Sequence, residues 1–195
     1  MITKKNKVQN DTKKIALLGI KPGVGVTHTG ILLGEFLKEK TGARVAFVEK
    51  NYHGDMESLG EMIYGCQEKV FTFRGVDYYS MSGAEELKEK ALTYDYLIMD
   101  FGTQKKKRGK ELELCEKKVV IGTLNWWEWQ EYIRVAEYYK ESMPDEDLTY
   151  VVSLGNCKLL SRVEKRLHSR VHFLGFQSIE GALSIEAERI FNTLI

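Results

Sequence analysis

Lys14-Ile-Ala-Leu-Leu-Gly-Ile-Lys-Pro-Gly-Val-Gly-Val-Thr-His-Thr29 passes from an apolar run through two closely spaced glycines into a helix start. Ile15–Leu18 is apolar throughout and bounded by a turn signal, so it reads as a buried strand. Gly23 and Gly25 let backbone N–H groups turn toward an anion without a side-chain clash. A helix opening at about Thr27 adds the partial positive charge of its N-terminus. This is the layout of a phosphate-binding loop, which ordinarily reads glycine, four residues, glycine, lysine, then serine or threonine. Thr27 keeps the hydroxyl, which would hold magnesium. Ile20 replaces the first glycine, one residue after Gly19, and Val26 replaces the lysine. The plainer alternative is a glycine turn that merely joins a strand to a helix.

Working outward, short apolar runs alternate with longer amphipathic stretches. Strands are expected at Val45–Val48, Tyr96–Met99 (ending at Asp100), Val119–Ile121, Tyr150–Leu154 and Val171–Leu174, with a short edge strand at Val76–Tyr79. Helices are expected from Val24 to Lys40 with Gly42 as stop, from Ala84 to Leu92, from Trp126 to Tyr139, and from Ile179 to Ile195. Strands apolar on both faces and alternating with helices predict an α/β fold of three layers. Its central sheet is mostly parallel and helices cover both faces, as in P-loop NTPases. Ligands in such sheets bind at the carboxyl ends of the strands, where the glycine loop, Glu49, Asp100 and Gly155 all fall.

The chain has 195 residues, 43% of them hydrophobic and 29% charged, which suits one soluble domain with a sizeable core. The expected division is a flexible tail over 1–12 and a single domain over 13–195. A net charge of +1 argues against whole-surface attraction to nucleic acid and leaves room for a local patch. No apolar run approaches a membrane span, and the lysine-rich N-terminus lacks the apolar stretch of a secretory signal. Cys66, Cys115 and Cys157 show neither zinc spacing nor a disulfide framework, which reads as reduced thiols of a cytoplasmic protein.

Three segments together carry a family resemblance. Lys21-Pro-Gly-Val-Gly-Val-Thr-His28 resembles the deviant loop Lys-Gly-Gly-Val-Gly-Lys-Thr-Thr of the MinD/ParA family. Arg44-Val-Ala-Phe-Val-Glu-Lys-Asn-Tyr-His-Gly-Asp55 is similar to that family's second strand and first switch, where the strand is followed by Asp-x-Asp-Pro-x-Gly. Tyr94-Asp-Tyr-Leu-Ile-Met-Asp-Phe-Gly102 is similar to its second nucleotide motif, with Asp100 as the carboxylate near magnesium. Val119–Thr123 and Val171–Gln177 match later strands more loosely.

The resemblance implies a fold that binds ATP or ADP with Mg2+, and an ATP-promoted face-to-face homodimer. In that dimer a signature lysine, here Lys21, reaches the partner's phosphates. The implied phosphate site is Lys21, Gly23, Val24, Gly25, Val26, Thr27 and His28, with Thr27 and Asp100 for the metal and Asn156 for adenine. The catalytic aspartate of the first switch falls at Asn51, whose amide can accept a hydrogen bond but cannot act as a base. With Val26, that makes two hydrolytic parts out of pattern, so hydrolysis is expected to be weak or absent. Losing one charged hydrogen bond costs roughly 1.5–3 kcal/mol, which weakens a nucleotide without abolishing its binding. The Thr27-His28 pair also resembles divergent TadZ/CpaE-like members linked to pilus loci, which implies a localisation or assembly role.

Three readings stay open: a scaffold that binds nucleotide, an active ATPase that uses Lys21, and a pseudo-NTPase that binds none. Partitioning by DNA binding is not expected, because the basic run Lys105–Lys110 is one loop and not a wide face. That run could equally be a solvated loop. Trp126, Trp127 and Trp129 read either as core packing or as a partner surface. His28 could touch phosphate or cap the helix.

Overall fold

A computed structural model of the chain describes residues 12–103, 110–144 and 146–195, apart from the side chains of Lys88 and Glu89. Residues 1–11 of the expected tail and 105–109 of the basic run lie outside the described residues. Thr12 is buried, and its hydroxyl donates to the Tyr94 carbonyl at 2.9 Å.

The apolar runs become strands because each is covered on both sides. In chain order the elements are β1 (Lys13–Gly19), α1 (Val26–Thr41), β2 (Val45–Glu49), α2 (Asp55–Tyr64), β3 (Val70–Phe73), β4 (Val76–Tyr79), α3 (Leu87–Lys90), β5 (Tyr96–Asp100), α4 (Lys110–Glu113), β6 (Lys117–Leu124), α5 (Trp129–Ser142), β7 (Leu148–Gly155), α6 (Leu160–Leu167), β8 (Val171–Phe173) and α7 (Ile185–Asn192). Among the described residues eight strands form one sheet in the order β3-β4-β2-β5-β1-β6-β7-β8. Every pairing is parallel except β3 with β4.

The two faces can be read residue by residue along β2. Val45 and Phe47 join the large core with α1, whereas Ala46 and Val48 join a second cluster with Leu87 of α3 and Tyr94. This is the α/β architecture expected from the sequence, with helices on both faces. It places β1, and therefore the loop that follows it, in the interior of the sheet between β5 and β6.

Several element boundaries differ from expectation. Val76–Tyr79 is not the edge strand, because β3 lies outside it and completes a hairpin. The two-residue turn is Arg74-Gly75, with φ of 48° and 75°, the twist that a tight hairpin requires. Arg is an unusual choice there, which hid the turn. Helix α1 begins at Val26 and not Val24, because Gly25 takes a left-handed φ of 83°. Its stop at Gly42 is as expected.

The Trp126–Tyr139 helix begins only at Trp129, because the N–H groups of Glu128 and Trp129 both bond the Asn125 carbonyl and form a turn first. The 84–92 stretch is α-helical only over Leu87–Lys90, flanked by 3-10 turns. The final helix starts at Ile185 and not Ile179, where the Ser184 hydroxyl accepts from the Ala187 N–H at 3.1 Å and sets the first turn. No helix among the described residues is long and apolar enough to cross a membrane.

Candidate nucleotide site

The loop between β1 and α1 frames a cavity of about 390 Å³ lined by Lys21, Gly23, Gly25, Val26, Thr27 and His28. His53, Asp55, Asp100, Gly102 and Ile179 close it. Gly23 and Gly25 both have positive φ, at 77° and 83°, so the chain can turn its amides inward. A Cβ added at Gly23 would meet nothing within 4 Å, so open space lies over the loop. No side chain caps α1, and Thr29 is the first residue to bond back, to the Gly25 carbonyl at 2.9 Å. The N–H groups of Val26, Thr27 and His28 therefore have no backbone acceptor among the described residues. Free amides at a helix N-terminus are what an anion requires.

Thr27 Oγ1 lies 2.7 Å from Asp100 Oδ2 and 2.9 Å from Asp55 Oδ2. A hydroxyl has one proton and can donate to only one of these carboxylates at a time. Asp100 is fully buried at the end of β5, and its other oxygen accepts from the Gly102 N–H at 2.8 Å. Burial pushes its carboxyl above the ordinary range, and the neighbouring Asp55 adds to the rise. Glu49, paired in register with Asp100 and 1% exposed, is raised for the same first reason, with Asp55 and Asp100 adding charge repulsion. One Glu49 oxygen accepts from the Asp55 N–H at 2.9 Å, and the other has no hydrogen-bond partner among the described residues. This set of hard oxygens beside the loop fits a hydrated Mg2+. Thr27 and Asp100 would hold it, and Asp55 is near enough to take part.

The other expected residues divide. Val26 is buried in the cavity wall, its side chain against Gly19, so the position of the cation is filled by methyl groups. The Val24 side chain turns into the core, and its carbonyl accepts from the Ser153 hydroxyl at 2.6 Å, so Val24 does not line the cavity. Lys21 lines it, but its ammonium pairs with Glu128 of the same chain. Asn125 and Thr123 also donate to that carboxylate. These donors, Lys21 foremost, hold the Glu128 carboxyl below its usual range.

His28 Nε2 lies 2.7 Å from the Gln177 carbonyl, and the ring stacks on Phe176, so its polar atom serves the loop after β8. Asn156 does not line the cavity. Its side chain accepts from the Lys158 N–H at 3.0 Å and shapes the turn after β7. Asn51 is buried and spent on the backbone, donating to the Asp100 carbonyl and accepting from the His53 N–H. Trp126 and Trp127 are 61% and 79% exposed, while Trp129 is half-buried.

Sequence reasoning missed Asp55 and Glu128 as site residues. Asp55 had a local signal, since Gly54-Asp55 opens an amphipathic stretch with an acid in the first turn. Glu128 had none, because only the fold brings it 107 positions back to Lys21.

The fold, a mostly parallel eight-stranded sheet with helices on both faces and the loop at the carboxyl end of an interior strand, matches that of solved MinD/ParA-type P-loop ATPases. MinD cell division protein of Aquifex aeolicus superposes with a TM-score of 0.62 at 16% identity, covering 94% of this chain and 95% of that one. A ParA family ATPase from Chlorobium tepidum TLS gives 0.60 at 13% identity, covering 87% and 85%. A putative plasmid partition protein from Borrelia burgdorferi B31, bound to AMPPNP, gives 0.60 at 14% identity, covering 94% and 96%. At these identities the likeness is one of fold. No protein-family model matches the chain, and no curated protein matches it by sequence.

Proposed function

We propose that the chain is a cytoplasmic, nucleotide-responsive protein that binds ATP or ADP with Mg2+, hydrolyses weakly or not at all, and works as a dimerising scaffold. One observation carries the reading. The cradle is kept, with open space over Gly23, free amides at the start of α1 and Thr27 between two carboxylates, while the groups needed for turnover are absent or engaged elsewhere. When bound, Mg2+ would neutralise charge between phosphate and the Asp55–Asp100 pair. The chain's own part is to bind and orient phosphate through the loop amides and Thr27. Val26 supplies no charge to a transferring phosphoryl group, and Asn51 neither faces the cavity nor can take a proton. A localisation or assembly role for a pilus or secretion machine, like that of TadZ/CpaE-like proteins, is the narrower form of this proposal. The likeness to the MinC:MinD complex of Aquifex aeolicus, at a TM-score of 0.58 and 16% identity, supports action through protein partners.

Isothermal titration with ATP and Mg2+, run beside a phosphate-release assay, tests it. Saturable binding without turnover is expected. Turnover on the order of 1 per second or faster would make the chain an ordinary enzyme and end the weak-hydrolysis claim.

A second reading, a pseudo-NTPase with no nucleotide, is favoured by the clustered acids. Glu49, Asp55 and Asp100 crowd one corner, and among the described residues no cation pairs with any of them. It predicts no heat of binding with ATP at any Mg2+ concentration.

A further inference from the structure

A groove of about 730 Å³ lies between α5 and α6, and it shares no lining residue with the loop cavity. Trp129 and Ile133 of α5 form an apolar floor. Arg134, Arg162, Lys165 and Arg166 stand exposed around it. Arg162 stacks over the Trp129 indole at 5.4 Å, which leaves its guanidinium edge free to meet a carboxylate. Among the described residues Arg166 and Arg134 have only long pairings, 3.6 Å to Glu137 and 3.7 Å to Glu131. Lys165 has no ion-pair partner among the described residues. Trp126 and Trp127, both exposed, lie in the turn that leads into α5.

We propose that this groove docks an acidic amphipathic helix of a protein partner. The chemistry is complementary on both counts. An apolar stripe at i, i+3, i+4 and i+7 spacing would lie on Trp129 and Ile133, and glutamates or aspartates flanking the stripe would meet the four cations. A nucleic-acid backbone fits less well. A run of phosphates would leave the apolar surface of Trp129 and Ile133 uncovered, and a chain of net charge +1 exerts little long-range pull on a polyanion. The inference stands whether or not the loop cavity takes a nucleotide.

Fluorescence anisotropy of the full chain with three labelled probes tests it. The first is a peptide of about 18 residues, with leucine on one helical face and glutamate on the rest. The second has the same composition scrambled so that no face is apolar, and the third is a mixed-sequence DNA duplex of similar charge. The amphipathic peptide is expected to bind, with affinity lost at least about tenfold in Lys165→Glu/Arg166→Glu and falling as salt rises. Both side chains are exposed, so the variant is expected to fold, and its circular dichroism and melting temperature verify this. Equal binding of the scrambled peptide would overturn the apolar floor. Tighter binding of the duplex, lost in the same variant, would reassign the groove to nucleic acid. No binding of the amphipathic peptide at high micromolar protein would overturn the proposal, and ATP binding by titration would remain unaffected.

Discussion

Val26 stands where a phosphate-binding loop ordinarily carries its lysine, and its methyl groups pack on Gly19 instead. Val26→Lys returns that charge. It is expected to raise the affinity for ATP with Mg2+ about tenfold to a hundredfold, the worth of one charged hydrogen bond, as read by titration calorimetry. An unchanged affinity would mean that the loop amides do not face a phosphate.

A second residue-scale case lies on α1. Burial pushes the Glu35 carboxyl above its ordinary value of 4.5, against the pull of Arg74, and one of its oxygens has no hydrogen-bond partner among the described residues. A carboxyl raised on folding contributes stability that is complete below its unfolded pKa and is lost as pH rises through the folded value. Glu35→Gln should remove that loss. Its denaturation midpoint is expected to gain on the wild type between pH 4 and pH 7, and a gap that stays constant across that window would refute the assignment.

At the scale of elements, α1 shows how closely a helix can lie on a sheet. A Cβ at Gly30 would come within 2.3 Å of the Phe47 ring and 2.7 Å of Leu17, both packed side chains of the core. Gly30→Ala is therefore expected to cost about 1–3 kcal/mol through overpacking. One turn on, a Cβ at Gly34 would meet Val76 and Ile98 methyls at ordinary contact, 3.4–3.5 Å. Gly34→Ala should instead stabilise by up to about 1 kcal/mol, because alanine is the better helix former. Thermal denaturation of the two variants should shift in opposite directions. Two shifts of the same sign would mean that α1 is not seated as described. Sequence spacing gave both glycines the same local standing, and only the distance to β1 and β2 separates them. The same limit explains the element errors. Arg74-Gly75 closes a hairpin without a common turn residue, and Asn125–Glu128 delays α5 through backbone bonds that no propensity anticipates.

For the molecule as a whole, the proposed function links ligand binding to association. A nucleotide at a hundredfold excess over its dissociation constant should add about 2.7 kcal/mol, seen as a raised melting temperature that needs Mg2+. Lys21 can reach a second copy only by leaving Glu128. The pair is partly exposed, so its loss is worth about 1 kcal/mol at most. Glu128→Gln is accordingly expected to raise the dimer fraction severalfold at a fixed ATP concentration, by sedimentation velocity. A dimer fraction indifferent to ATP in both proteins would argue against nucleotide-driven association.

The residues alone determined the architecture. Apolar runs of strand length alternating with amphipathic helices allow few arrangements other than a covered parallel sheet, and Ile15–Leu18, Val45–Val48 and Tyr96–Met99 all became buried strands of it. They also located the loop, because Gly23 and Gly25 are local requirements of backbone geometry. Tertiary structure decided the partners. Asp55 at Thr27, Glu128 at Lys21 and Gln177 at His28 come from chain positions 28, 107 and 149 residues away. Strand order sets such meetings, and a side chain's local sequence carries no record of what the fold will bring against it.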